Sequence, residues 1–112
     1  MNKISFEEFM NVEICVGTIL TAEENNNLNN PSFVLTIDFG KKIGIKKSSA
    51  QLRANYSSQN LIKKQILAVV NFPPKQVGKT ISEVLVLGLS DNNAEPVLIS
   101  PDFKIENGKK LY

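Results

Sequence analysis

The sequence has no histidine, no tryptophan and only one cysteine, Cys15, among its 112 residues. Without histidine, the commonest general base and the commonest neutral metal ligand are both missing. A lone cysteine makes no intrachain disulfide, and a reducing, cytoplasmic setting is expected. Cys15 stands in the apolar stretch Ile14-Cys15-Val16, which suits a small core residue better than a nucleophile. No apolar run approaches the about 18 residues that a membrane span needs, and no charged leader precedes one. Neither a classical secretory signal nor membrane insertion is expected. Glycine-rich phosphate loops, a Gly-x-Ser-x-Gly elbow and acidic metal clusters are also missing. The expectation is a non-catalytic protein that needs no cofactor or metal.

One further absence is local. Between Lys41 and Ser82 there is no Asp or Glu, yet there are nine cations: Lys41, Lys42, Lys46, Lys47, Arg53, Lys63, Lys64, Lys75 and Lys79. The overall charge of +2 therefore conceals −5 over residues 1–40, +9 over 41–82 and −2 over 83–112. Such segregation suits a positive face for a polyanion, or faces that complement each other or another subunit.

What is present describes one small domain spanning residues 1–112, 42% hydrophobic and long enough to bury roughly two thirds of its unfolded surface. Ser5-Phe6-Glu7-Glu8 has the form of a capping box, with Ile4 and Phe9 placed as a hydrophobic staple, and the short helix it starts ends by Met10. Phe6, Phe9 and Met10 then need something to dock on. Glu13 to Thr21 reads as a strand, with Gly17 permitting a bulge or bend. Asn25 to Asn30 reads as a loop ending at Pro31. Phe33, Leu35, Ile37 and Phe39 alternate with polar or smaller residues, and Gly40 turns the chain into a second strand over Lys42–Lys47. Ser48 through Lys64 reads as loop and short helical turns, anchored by Leu61 and Ile62. Ile66–Val70 and Val84–Leu87 are apolar on both faces, as for strands lined by a barrel interior and a second covering. A short strand, Val97–Ile99, and an apolar tail with Phe103, Ile105, Leu111 and Tyr112 close the chain. The order matches an all-β, five-stranded OB-fold barrel with a helical connection between strands three and four. Apolar surface at both termini favours a homodimer.

The lysine-rich block has two open readings. It is either a solvated face over a core strand or an anion-binding surface whose affinity would fall with salt at a log–log slope of about −4 to −6. Only Tyr56 and Phe72 lie within it, too few rings for single-strand stacking platforms, so a structured RNA fits better. Phe72-Pro73-Pro74 is stiff because each proline fixes its φ and removes a donor. It serves equally as the wall of a hydrophobic groove or as a plain barrel rim. Asn71 suits an amide closing a turn. Ser48, Ser49 and Gln51 offer hydrogen bonds with no base nearby.

Four segments in order, Val12–Gly17, Ile43–Gln51, Val69–Pro74 and Ser82–Leu87, resemble the tRNA-binding domain family, OB-fold modules found alone or appended to some aminoacyl-tRNA synthetases. Ser-Ser-Ala-Gln and Asn-Phe-Pro-Pro are similar to its secretion-chaperone members. The resemblance implies a homodimer that binds unfolded or export-bound polypeptides, in a family whose other members bind tRNA. It carries over Ser48, Ser49, Gln51, Asn71, Phe72, Ser82 and Glu83 as peptide-binding positions. Glu83 has a second reading, an acid that pairs with a nearby cation and holds the loop. The alternative, tRNA binding, would use Lys42, Lys46, Lys47, Arg53, Lys63, Lys64, Lys75 and Lys79. Cys15 departs from the resemblance, since relatives usually carry Arg there, and that weakens the RNA reading more than the peptide one. An interaction module for one particular protein is a third reading.

Overall fold

The computed structural model describes residues 1–26 and 31–112. The capping box forms as expected. Ser5 Oγ accepts from the Glu8 N–H at 3.1 Å, and Glu8 Oε1 accepts from the Ser5 N–H at 2.9 Å, starting α1 (Phe6–Met10). No side chain of the helix is fully buried: Phe9 and Met10 are half-buried, and Phe6 is 74% exposed.

β1 (Ile14–Asn25) is the central strand, longer than the sequence suggests. It pairs antiparallel with β2 (Ser32–Asp38) and with β4 (Gln65–Val69). β2 pairs with β3 (Ile45–Ala50), and β4 with β7 (Leu85–Val86), giving the sheet order β3-β2-β1-β4-β7. With α3 (Ser58–Leu61) between β3 and β4, this curled sheet has an OB-like architecture. Ile19, Phe33, Leu35, Ile37, Leu61 and Ile66 are fully buried inside it. Alternation along β2 (Phe33, Leu35 and Ile37 inward) is the period-two signature of a strand with one buried face.

Several local expectations change. The register shift in β1 lies between Ile19 and Thr21 and not at Gly17. Gly17 is instead a close approach: a Cβ there would stand 2.7 Å from Ile37 Cγ2 and the Phe39 ring. β3 starts at Ile45 and not Lys42, because α2 (Gly40–Ile43) intervenes as a single helical turn. Asp38 Oδ1 accepts from the Gly40 N–H at 2.8 Å, and the Gly40 φ of +87° is one that side chains with a Cβ rarely adopt. Ser48, Ser49 and Ala50 are strand and not loop, since they pair with Leu35, Val34 and Phe33. Asn25 ends β1, and the rest of the expected loop through Asn30 lies in part outside the described residues. Leu61 is buried, whereas Ile62 is exposed.

β4 runs one residue earlier than expected, and the Val84–Leu87 run forms a ladder only over Leu85–Val86. The expected last strand appears as β9 (Pro96–Leu98), which pairs with β8 (Gly88–Ser90) in a hairpin of its own. A second hairpin was not anticipated: β5 (Lys75–Val77) and β6 (Thr80–Ser82) pair across the Gly78-Lys79 turn. The C-terminal tail is pinned by its backbone along the start of β1. Gly108 N–H donates to the Val16 carbonyl at 2.8 Å, Val16 N–H to Lys109 at 3.0 Å and Leu111 N–H to Ile14 at 2.7 Å. The Gln65 amide grips Ile105 by both of its backbone groups. Phe103 and Tyr112 nonetheless stay exposed.

Because no neighbour of Gly17 is the far end of a flexible chain, Gly17→Ala overpacks the core. Urea unfolding is expected to show a loss of about 1–3 kcal/mol, with the tertiary circular-dichroism signal weakened more than the secondary.

Candidate functional site

The site begins where β4 ends. Asn71 Oδ1 accepts from the Glu13 N–H at 3.0 Å, and its Nδ2 donates to the Asn11 carbonyl at 2.8 Å. Both halves of the amide are thus spent on the segment joining α1 to β1. The turn is tied down there, and the stiff Phe72-Pro73-Pro74 segment follows it, with Phe72 53% exposed.

Val77 of the β5–β6 hairpin, together with Val84 and Leu85, lines the same concavity as Phe72. Between these walls lies a groove of about 410 Å³. Val84 is buried, while Val77 and Leu85 present apolar surface to solvent. Apolar surface gathered around a concavity is the usual form of a binding site.

The groove borders the line where the sheet curls back on itself. There the Glu83 N–H donates to the Lys47 carbonyl at 2.8 Å, and Glu83 Oε1 accepts from the Lys47 N–H at 3.0 Å. Ser49 N–H donates to Ser82 Oγ at 3.2 Å, and Ser48 Oγ donates to the Val84 carbonyl at 3.1 Å. β3 and β7 share no ladder, so side-chain oxygens substitute for one at this seam.

Of the positions expected to bind peptide, Ser49, Phe72, Ser82 and Glu83 come together on the groove. Ser48 is buried, its hydroxyl bonded to the Val84 carbonyl, and does not line the groove. Gln51 lies on a smaller adjoining cavity of about 190 Å³ between β3 and β7. Asn71 acts on the turn behind Phe72 and not on the groove wall. Val77 and Leu85 were missed as wall residues. Val77 was legible as part of a hairpin, since Gly78-Lys79 separates two short runs of strand-forming residues. Leu85 was hidden in a run that reads as buried on both faces.

The cations do not form one face merely by being neighbours in sequence. Lys46 Nζ lies 3.9 Å from Glu83 Oε2. Arg53 is engaged three ways: 3.6 Å from Glu24, donating to Asn26 Oδ1 at 3.2 Å, and 5.6 Å above the Phe33 ring. Lys42 lines a groove of about 600 Å³ with Glu106 and Lys109. Lys63 and Lys64 line another, of about 590 Å³, together with Lys104, Asp38 and Asp102. Lys75 belongs to the apolar groove, and Lys79 to the turn of the hairpin beside it.

Among the described residues no cluster of His, Cys, Asp or Glu could hold a metal ion, and no helix is long and apolar enough to cross a membrane. Cys15 is 4% exposed. Burial pushes its thiol above the usual range, the Glu13 carboxylate adds to that, and Lys110 opposes it. Such a thiol is a poor nucleophile.

Residues 14–110 match the family described as "Putative tRNA binding domain". Among solved structures, the chaperone CsaA of Bacillus anthracis str. Ames is similar at a TM-score of 0.92 and 42% identity, covering 99% of this chain and 100% of that one. The CsaA chaperone protein of Picrophilus torridus is similar at 0.89 and 42%, covering 98% and 100%. The methionine–tRNA ligase of Leptospira biflexa serovar Patoc is 33% identical over 108 residues, 96% of this chain. That of Pyrococcus horikoshii is 25% identical over 111 residues, 99% of this chain. The chain spans about 15% of the length of these ligases.

The Asn71 bonds yield a test that separates architecture from contact. Asn71→Ala leaves the Glu13 N–H and the Asn11 carbonyl without their partner, and should lower the unfolding free energy by about 1–2 kcal/mol in urea titration. Any loss of ligand affinity should track the loosened turn and be recovered partly by Asn71→Asp, which keeps the acceptor for Glu13.

Proposed function

The chain belongs to the tRNA-binding domain family, and from that premise we propose that it works as a non-catalytic, homodimeric chaperone for unfolded or export-bound polypeptides. The observation that carries this reading is the apolar groove walled by Phe72, Val77 and Leu85 and rimmed by Ser49, Ser82 and Glu83. An extended segment of an unfolded chain would bury its apolar side chains against Phe72 and Leu85, and apolar burial makes such binding tolerant of salt. The Ser49 hydroxyl on the groove and the exposed Gln51 amide offer partners to a peptide backbone. The similarity to CsaA chaperones at 42% identity over nearly the whole chain supports the same reading.

The homodimer is supported by the apolar surface that the termini leave exposed. Phe6 in α1, Phe103 and the 97% exposed Tyr112 are large side chains with nothing of their own chain to cover them among the described residues. A two-fold interface would cover such surface on both copies. The single, buried cysteine fits work in a reducing cytoplasm.

A second reading, tRNA binding, is favoured by the family match and by Lys63, Lys64 and Lys104 meeting in one groove, where they outnumber Asp38 and Asp102. Phosphate contacts release counterions and make affinity steeply salt-dependent.

Phe72→Ala should weaken capture of an unfolded polypeptide about tenfold while the unfolding midpoint stays unchanged, read by fluorescence anisotropy beside a denaturation curve. Unchanged capture would remove this site from the reading. For tRNA, Lys63→Glu with Lys64→Glu should weaken retention in a gel shift and make the log–log salt slope shallower by about 1–2. Retention equal to wild type would take these lysines out of any RNA surface.

A further inference from the structure

The groove does not end at Leu85. Ser49 and Leu85 border both it and the cavity of about 190 Å³ between β3 and β7. That cavity is walled by Ala50, Leu52, Val86 and Leu98, with the exposed Gln51 on its rim. The chain of antiparallel pairs β3-β2-β1-β4-β7 makes β3 and β7 run in the same direction. Glu83 and Ser82, just before β7, bond to Lys47 and Ser49 of β3, and no ladder joins β3 to β7 itself, where the smaller cavity lies. The two cavities therefore adjoin at Ser49 and Leu85, the larger beside the hairpin and the smaller, mostly apolar, at the seam.

Charge is distributed unevenly along them. The lining of the seam end holds no ionisable side chain. At the hairpin end Lys75 lines the groove and Lys79 occupies the turn of the hairpin beside it. Among the described residues neither of these two lysines has an ion-pair partner. The one acid on the groove, Glu83, already faces Lys46 and accepts from the Lys47 N–H. An apolar slot thus adjoins a mouth where Lys75 and Lys79 carry charge that Glu83, facing Lys46, does not pair.

Resting on the polypeptide-binding reading above, we infer that the site selects extended segments in which apolar residues lie next to acidic ones, and discriminates against apolar segments flanked by Lys or Arg. The apolar residues fill the groove and the seam slot and supply the affinity. The carboxylates meet Lys75 and Lys79. Solvent-exposed ion pairs are individually weak, so they sort clients and do not hold them. Like-charge placement of a basic flank against the same lysines adds the repulsive half of the selectivity.

The test uses two fluorescein-labelled peptides with one apolar core, flanked by Asp and Glu in the first and by Lys in the second, titrated with the full chain in anisotropy. The acidic peptide should bind about three- to tenfold tighter at low salt, with the advantage shrinking at about 0.5 M salt. Lys75→Gln with Lys79→Gln should abolish the preference, and Lys75→Glu with Lys79→Glu should invert it; both variants alter exposed side chains, and a thermal melt checks their folding. Equal affinity for the two peptides, with Phe72→Ala weakening both, overturns this inference and leaves the chaperone reading standing. Binding of neither peptide overturns both. Binding of tRNA alone, lost in the Lys75 and Lys79 variants, assigns the cations to RNA and also overturns the inference.

Discussion

The structure depends on how its barrel closes. Four antiparallel pairings carry the sheet from β3 to β7, but the last contact, between β3 and the chain around β7, has no strand ladder. Reciprocal bonds between Glu83 and Lys47, together with the hydroxyls of Ser48 and Ser82, replace it. Buried backbone groups need partners, and here side chains provide several of them. A seam closed by side chains closes only where those side chains stand, and the smaller cavity lies where β3 and β7 share no ladder. The candidate groove and its adjoining slot sit on either side of this closure.

Two amides do comparable work at the ends of the chain. Asn71 fixes the turn after β4 to the entry of β1, and Gln65 fixes the C-terminal tail through Ile105. Each converts a flexible connection into a fixed one by saturating backbone groups that a strand would otherwise have paired. One consequence is functional, since a tied turn keeps Phe72 exposed on the groove. The other concerns assembly: the tail backbone is held while Phe103 and Tyr112 face outward.

Electrostatics shows how sequence adjacency and spatial adjacency part. Nine cations without an intervening acid read as one basic surface. The fold distributes them over separate grooves and brings acids from elsewhere to some of them. Glu24 reaches Arg53 and Glu83 reaches Lys46. Lys75 lines the apolar groove and Lys79 the turn beside it, and among the described residues no acid pairs with either. Their position matters more than the total.

The sequence by itself determined the short capped helix, the alternating strand from Phe33 to Ile37, the buried Cys15, the helical link before β4 and the barrel class, because each rests on local periodicity or on capping chemistry. It also marked Phe72 and its prolines as stiff, since proline restricts φ wherever it stands. Tertiary structure alone decided the rest. Gly17 is a contact point and not a bulge because Ile37 and Phe39 are its neighbours across the sheet. Ser48, Ser49 and Ala50 are strand because β2 offers them partners, against their local turn-like composition. Val84 is buried while Leu85 opens to solvent, a difference that an all-apolar run conceals. Ser49, Phe72, Ser82 and Glu83 belong to one groove only because β3, the turn after β4 and the β5–β6 hairpin converge, and residues so far apart in the chain carry no local signal of that meeting.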